Sequence, residues 1–312
     1  MNKITTLLAK YENGEIDKEA FIKLMHKERH SVLFEYSNYL SHTNIKKIEI
    51  QDMQVVMTSR DRGIQIECAP SDHRIAPIET LNFFDYEKDE SKMMENLVGD
   101  NDYFFDIGAN IGWYSLNIGI AKRGVKVFSF EPVPHTYNQL LRNLKFNPCE
   151  NITPFNFGFS KKSGDFDFYY YPEGSGNASS ANLTDRADVE RILCKVSTLD
   201  EFIQTSNLRI DFIKCDVEGA ELFVFQGGLE VIKRNLPIVF SEILRKWSAK
   251  FGYNPNEIFK FFSLLGYRTF TVKDNYLVEF YEMDESTVST NFFFLHAQKH
   301  SHLIKRFLRE VS

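Results

Sequence analysis

The sequence predicts an α/β protein built on a doubly wound, mainly parallel sheet, and three observations carry that expectation. In Tyr103-Phe104-Phe105-Asp106-Ile107-Gly108-Ala109-Asn110-Ile111-Gly112-Trp113-Tyr114-Ser115 an apolar run ends in an acid, a glycine-rich turn follows, and helical periodicity begins. That is the form of a buried strand feeding a tight turn and a helix, where α/β sheets hold nucleotide-like ligands. From 104 to 240, strand-like and helix-like segments alternate with the regularity of parallel crossovers. Three acids, Asp106, Glu131 and Asp216, stand where apolar strand segments end. In a sheet with right-handed crossovers those ends share one rim, so the acids can converge on one crevice.

Taken in order, the first forty residues read as helices. Asp17 is placed to cap a segment carrying Ala20, Phe21, Leu24 and Met25 at helical spacing. Val32, Leu33, Phe34, Tyr36, Tyr39 and Leu40 extend an apolar stripe suited to packing on the main body or on a second subunit. Residues 1–44 form this extension, and 45–85 read as a small β meander with short runs around Ile48, Val55 and Ile64. In the polar segment Ser71-Asp72-His73-Arg74, a solvated role is the expectation for His73. The main domain, 86–298, has strands at 104–107, 125–130, 152–157, 210–215 and 237–240, with helices at 113–120, 137–144, 222–232 and 258–265. Segments 267–272 and 291–295 close the sheet. Between strands three and four, 164–171 alternates as a strand does and runs into a glycine- and serine-rich stretch, 172–180. That stretch reads equally as a substrate loop and as a surface hairpin. The tail 299–312 is a basic amphipathic segment with Leu303, Ile304, Phe307, Leu308 and Val311 on one side. It suits packing on the domain or a dimer partner, with membrane-surface contact as the alternative.

Composition narrows the function classes. With 43% hydrophobic residues in 312, the chain can bury a sizeable core, and a net charge of -6 removes the global reason to expect nucleic-acid binding. Cys68, Cys149, Cys194 and Cys215 are widely separated with no C-x-x-C pair, so neither a zinc site nor a disulfide framework is expected. Cys215 lies in an apolar run and reads as a packing residue. No stretch approaches the ~18 apolar residues of a membrane span, and a cytoplasmic, reducing setting is the expectation.

Glu131 is the most informative acid. About 20 residues past a glycine turn, an acid at the end of the second strand is placed to accept from ribose hydroxyls. That fits a nicotinamide dinucleotide or an adenosyl sulfonium. The turn discriminates: Gly108-Ala109-Asn110-Ile111-Gly112 lacks the third glycine of G-x-G-x-x-G, and Asp106, read as projecting into the crevice, would set a negative charge near a pyrophosphate. S-adenosylmethionine is the favoured cofactor.

Five segments, Asp106 to Gly112, Phe130-Glu131-Pro132, Ser197-Thr198-Leu199-Asp200, Ile213 to Glu221 (Ile-Lys-Cys-Asp-Val-Glu-Gly-Ala-Glu) and Pro237 to Glu242, occur in an order that resembles the FkbM family of S-adenosylmethionine-dependent methyltransferases. The resemblance covers roughly 86–295. It implies a Rossmann-like seven-stranded methyltransferase sheet with its last strand antiparallel, and O-methylation of a hydroxyl on a sugar, nucleotide-sugar, glycan or natural-product acceptor. By position it implies that Asp106, Gly108, Ala109, Asn110 and Gly112 hold the methionine part, Glu131 and Pro132 the ribose side, and Asn156 and Phe157 the adenine. Glu87 resembles a family acid near the cofactor amine. Asn156-Phe157-Gly158-Phe159-Ser160 is more aromatic than the family's usual segment.

A hydroxyl needs its proton removed as the new bond forms, and a positioned base contributes about 10²–10⁴-fold. Asp216 is the first candidate, then Glu218 and Glu242. Lys214 lies two residues earlier on the same strand face, as a substrate contact or a buried ion-pair partner. A divalent metal on Asp216, Glu218 or Glu242 is an alternative that the spacing does not require. An N-methyltransferase, a nicotinamide oxidoreductase (disfavoured by the turn) and a non-catalytic scaffold stay open, as does a homo-oligomer.

Overall fold

A computed structural model describes residues 3–171, 173–174, 178–186 and 189–309. Three helices lead: α1 (Lys3–Glu12), α2 (Lys18–Met25) and α3 (Ser31–Tyr39). The Asp17 side chain caps α2 by accepting from the Ala20 N–H at 2.8 Å, satisfying one of the donors a helix start leaves open. Neither α2 nor α3 buries a side chain, and Ile22, Leu33 and Phe34 are exposed. The apolar stripe therefore packs on the body only at its end. There Leu40 meets the core and the Tyr39 hydroxyl donates to the Leu81 carbonyl.

The meander forms as expected from β1 (Ile45–Gln51), β2 (Gln54–Ser59) and β3 (Gln65–Cys68), all antiparallel. Two helices, α4 (Ala76–Phe83) and α5 (Lys88–Leu97), follow where the sequence reading had none. The chain then runs β4 (Tyr103–Ile107), α6 (Trp113–Ala121), β5 (Lys126–Phe130), α7 (Pro134–Phe146) and β6 (Ile152–Phe155). Next come β7 (Gly158–Phe159), β8 (Gly164–Tyr170), β9 (Glu190–Ser197) and α8 (Leu199–Ser206). The last part is β10 (Phe212–Cys215), α9 (Glu221–Gln226), α10 (Leu229–Asn235), β11 (Ile238–Glu242), α11 (Arg245–Lys250), α12 (Asn256–Leu264), β12 (Tyr267–Lys273), β13 (Tyr276–Phe280), β14 (Asn291–His296) and α13 (Ser301–Phe307).

The main sheet has the order β13-β12-β14-β11-β10-β4-β5-β6. β11, β10, β4, β5 and β6 are parallel, and β14 runs antiparallel between β11 and β12. Seven of these strands match the expectation, antiparallel last strand included. The eighth, β13, corrects the count: it pairs with β12 through a two-residue turn in which Asp274 and Asn275 have φ of 54° and 63°. That is hairpin-turn chemistry. A second correction divides the helix expected at 222–232 into α9 and α10. A Cβ on Gly227 would lie 2.1 Å from the Ser160 carbonyl oxygen, so the chain bends where it passes the loop after β7.

Side chains alternate across the sheet. Phe104, Phe212, Phe240, Phe270 and Phe293 face one core, and Phe105, Phe130, Ile213, Val239, Phe292 and Phe294 the other. Each such buried ring contributes roughly 1.5–3 kcal/mol, and burial on both faces fixes the doubly wound form. Ile45, Met57, Ile64 and Ile66 of the meander belong to the first core. Asn143 of α7 and Asn147, the residue that caps its C-terminal end, accept from the backbone N–H groups of Glu67 and Gln65, both at 2.9 Å, and so occupy the free edge of β3.

At the C-terminus the helix is shorter than expected, α13 alone. Ile304 is buried, while Leu303, Phe307 and Leu308 pack against the core, so the apolar side lies on the domain itself. Residues 310–312, with Val311, lie outside the described residues. Among the described residues no helix is long and apolar enough to cross a membrane. The four cysteines are free, and burial holds the Cys215 thiol well above its ordinary range, as a packing role requires.

Candidate functional site

β4 delivers the chain to the glycine turn at the rim of the sheet. Gly108 has φ of 76°, and a Cβ there would lie 1.8 Å from the Asp216 carbonyl oxygen, so only glycine lets the end of β10 pass so close. The Gly108 and Ala109 N–H groups both donate to the Phe130 carbonyl at 3.0 Å, fastening the turn to the end of β5. Glu131, one residue on, closes the same corner. Its carboxylate accepts from the Asn110 N–H at 3.0 Å and the Val133 N–H at 2.9 Å. Burial pushes the Glu131 carboxyl up to about 7, against the lowering effect of those two donors.

The rim opens into a cavity of about 320 Å³, within the range of small-molecule sites. Of the residues expected from the sequence, Glu87, Gly108, Ala109, Asn110, Glu131, Pro132, Lys214, Asp216, Glu218 and Glu242 line it. One wall is the turn with Glu131. Asp216 and Glu218, just past the end of β10, and Glu242, at the end of β11, line the cavity as well. One oxygen from each of these three carboxylates lies within 4.8 Å of the others. Burial, then the charge of Asp216, raises the Glu218 and Glu242 carboxyls well above the ordinary carboxylate range. Glu87, at the start of α5, accepts from Asn291 Nδ2 at 3.0 Å and from the Tyr114 hydroxyl, and burial raises its carboxyl too.

Four expected residues are placed differently. Asp106 does not project into the crevice. It is 0% exposed beneath the turn, accepts from Ser115 Oγ at 2.6 Å, and has Lys214 Nζ 3.4 Å from its other oxygen. Its charge is thus countered inside the protein, and it presents none to a bound pyrophosphate. Gly112 does not line the cavity; a Cβ there would lie 2.4 Å from Leu140 Cδ1, so it serves the close packing of α6 on α7. Asn156 and Phe157 also stand off the cavity. Asn156 Nδ2 donates to the Glu131 carbonyl at 2.9 Å, and the Phe157 ring packs among Phe130, Phe155 and Phe202. Gly158, Phe159 and Ser160 line the cavity in their place.

Lys214 resolves into an ion-pair hub. Its Nζ lies 3.4 Å from Asp106 and 3.5 Å from Asp216, and it donates to the Gly108 carbonyl at 2.8 Å. Burial works against the ammonium, but Asp106 and Asp216 outweigh it and hold the charge on. One side chain thereby ties the turn, the buried acid and the cavity acid together.

The sequence reading missed Tyr86, Trp113, Phe166 and Phe168 as lining residues. Tyr86 and Trp113 meet edge to face with centroids 6.0 Å apart. Phe166 and Phe168 come from one face of β8, and Ala178 and Ser180 line the cavity beyond them. The strand-and-loop segment over the rim thus borders the cavity, as the substrate-loop reading requires; Pro172 and residues 175–177 of that segment lie outside the described residues. Their alternation with Asp165 and Asp167 was the available signal. Arg74 lines the cavity, while His73 is exposed with Nδ1 3.3 Å from the Ser71 carbonyl.

The sequence profile of the Methyltransferase FkbM domain matches residues 106–269. The chain is similar to the hexuronic acid methyltransferase AglP of Haloferax volcanii, 28% identical over 179 residues that cover 57% of this chain and 68% of that one. It is similar to Methyltransferase 1 of Beauveria bassiana, 25% identical over 146 residues, 41% of this chain and 59% of that one. Among solved structures, the methyltransferase FkbM from Methylobacillus flagellatus KT is 18% identical with a TM-score of 0.42, covering 64% of this chain and 45% of that one. The profile spans more than half of the chain and includes the turn, Glu131 and the carboxylates at the ends of β10 and β11, so the chain belongs to the FkbM methyltransferase family.

Proposed function

We propose that this methyltransferase uses S-adenosylmethionine to methylate a hydroxyl of a sugar, nucleotide-sugar, glycan or related natural-product acceptor. The observation that carries the reading is the set of groups sharing one cavity: the backbone of Gly108–Asn110 with Glu131, and the carboxylates of Asp216, Glu218 and Glu242. The residues present fit the cofactor. The Asp216 carbonyl fills the space that a Cβ at Gly108 would need, so Gly108 adds no side chain to the cavity it lines, and the acids suit a ligand that carries positive charge and no phosphate. When bound, the cofactor supplies a methyl group on a sulfonium for in-line displacement, a reaction in which positioning accounts for much of the rate.

Glu131 accepts from the ribose hydroxyls, Gly108, Ala109 and Asn110 back the methionine part, and Glu87 faces its amine. Phe159, with Gly158 and Ser160, takes the place beside adenine that was expected for Asn156 and Phe157. Asp216 takes the acceptor's proton as the O–C bond forms; Glu218 and Glu242 flank it. Lys214 is a positioning residue, since it holds Asp216 and the Gly108 carbonyl in one arrangement. Similarity to the hexuronic acid methyltransferase of Haloferax supports a carbohydrate acceptor, and Phe166 and Phe168 offer apolar faces against which a sugar ring can lie. Replacing Asp216 by Asn tests the assignment: cofactor affinity should stay within a few-fold, while turnover on a panel of sugar and uronic-acid acceptors falls by about 10²–10⁴. Turnover near normal removes Asp216 as the base.

A further inference from the structure

We propose that Asp216, Glu218 and Glu242 form a binding site for one hard divalent cation of the Mg²⁺ or Mn²⁺ class. The first observation is geometric. One oxygen from each residue lies within 4.8 Å of the others, a spacing that a single ion can bridge with oxygen ligands at about 2.0–2.6 Å. The ligand set is all carboxylate oxygen, which selects hard cations over zinc or copper.

The second observation is independent of that spacing. Glu218 Oε2 is buried and has no hydrogen-bond partner among the described residues. A buried carboxylate oxygen without a donor is costly, and the carboxylate that carries it belongs to a cluster with two others. The positive charge at hand is already committed. Lys214 is shared between Asp106 and Asp216, and among the described residues Glu218 and Glu242 have no ion pair. A divalent ion supplies the missing charge and gives that oxygen a partner.

Three protein ligands leave the remaining positions of a six-coordinate ion to water or to oxygens of another molecule. Those positions open on the cavity that Phe166 and Phe168 border. The cation therefore suits an acceptor with two neighbouring oxygens, such as a vicinal diol or a hydroxy acid, and fixes which hydroxyl faces the methyl donor. Each carboxylate commits one oxygen, so Asp216 keeps a second one. Cation binding itself stands on the geometry, whereas this use of the ion rests on the proposed methyl transfer.

Mn²⁺ titration of the full chain, followed by electron paramagnetic resonance without cofactor, tests the site. One Mn²⁺ per chain should bind, and Mg²⁺ should displace it. Glu218→Gln and Glu242→Gln should each weaken binding roughly tenfold or more, whereas Glu230→Gln, on the exposed face of α10, should not. Circular dichroism and urea midpoints establish that the variants fold. Failure of the folded wild-type chain to bind millimolar Mn²⁺, or equal affinity in all variants, overturns the proposal. S-adenosylhomocysteine titration in parallel keeps the two readings apart. Cofactor binding without Mn²⁺ binding assigns the acids to protons or to the cofactor's amine, and Mn²⁺ binding without cofactor binding sinks the methyl-donor reading alone.

Discussion

Replacing Lys214 by Met separates a positioning role from a substrate-contact role, and the structure supplies the magnitude. The substitution removes the ammonium 3.4 Å from Asp106, the partner of Asp216 at 3.5 Å and the donor to the Gly108 carbonyl at 2.8 Å. Asp106 is 0% exposed, so its carboxylate loses its counter-charge in a place water does not reach. Breaking such a pair costs about 3–5 kcal/mol because one charge is left uncompensated. Adding Asp106→Asn removes that charge while keeping the shape and an acceptor for Ser115 Oγ. The double variant should therefore regain at least half of the loss, a coupling of roughly 1.5–3 kcal/mol. Urea unfolding at pH 7–8, with unchanged m-values, measures all four corners of the cycle. A single-variant loss under about 1 kcal/mol, or strict additivity, refutes the hub. Full stability with lost turnover would return Lys214 to the substrate.

Two further outcomes follow from Glu131 and Glu221. Burial pushes the Glu131 carboxyl up to about 7, and accepting from ribose hydroxyls needs the ionised form. Affinity for S-adenosylhomocysteine should therefore fall as pH drops below about 7, and Glu131→Gln should bind weakly with a flat profile; an unchanged wild-type profile in that variant contradicts the role. Burial also pushes Glu221 up to about 7, against donation from the Gly219 and Val217 N–H groups. Both folded-state values lie above the unfolded value near 4.5, so the folded chain holds more protons between pH 4.5 and 7. Unfolding free energy should be greatest below that window and decline as pH rises through it, by on the order of 3 kcal/mol per group. A midpoint that rises over the same range refutes the assignment.

Much of the site is legible in residue order because parallel crossovers force strand ends onto one rim. Glu131, Asp216 and Glu242 need only that rule to be brought together, and Gly108 needs only the close approach of β10. What the order of residues does not state is depth. Asp106 and Asp216 occupy the same kind of position, yet the first lies under the turn against Lys214 and Ser115 while the second faces the cavity. The direction of a side chain at a strand end depends on the register between β4 and β10, in which Asp106 pairs with Lys214. Phe157 and Phe159 both join the aromatic cluster around Phe130 and Phe202, and of the two Phe159 also reaches the cavity. β13 carried a readable signal, Asp274-Asn275 between apolar runs. The split at Gly227 did not, because its cause is a carbonyl of Ser160 distant in sequence. The exposed faces of α2 and α3 likewise reflect what the body leaves uncovered, which helical spacing alone does not report.

The central claim is that the wall formed by the glycine turn and Glu131 holds an adenosyl sulfonium cofactor. Isothermal titration of the full chain with S-adenosylhomocysteine tests it most directly. The account predicts saturable binding of one ligand per chain, weakened at least tenfold in Glu131→Ala, with no heat from NAD under the same conditions. Saturable NAD binding, or no binding of S-adenosylhomocysteine by the folded chain, would contradict it.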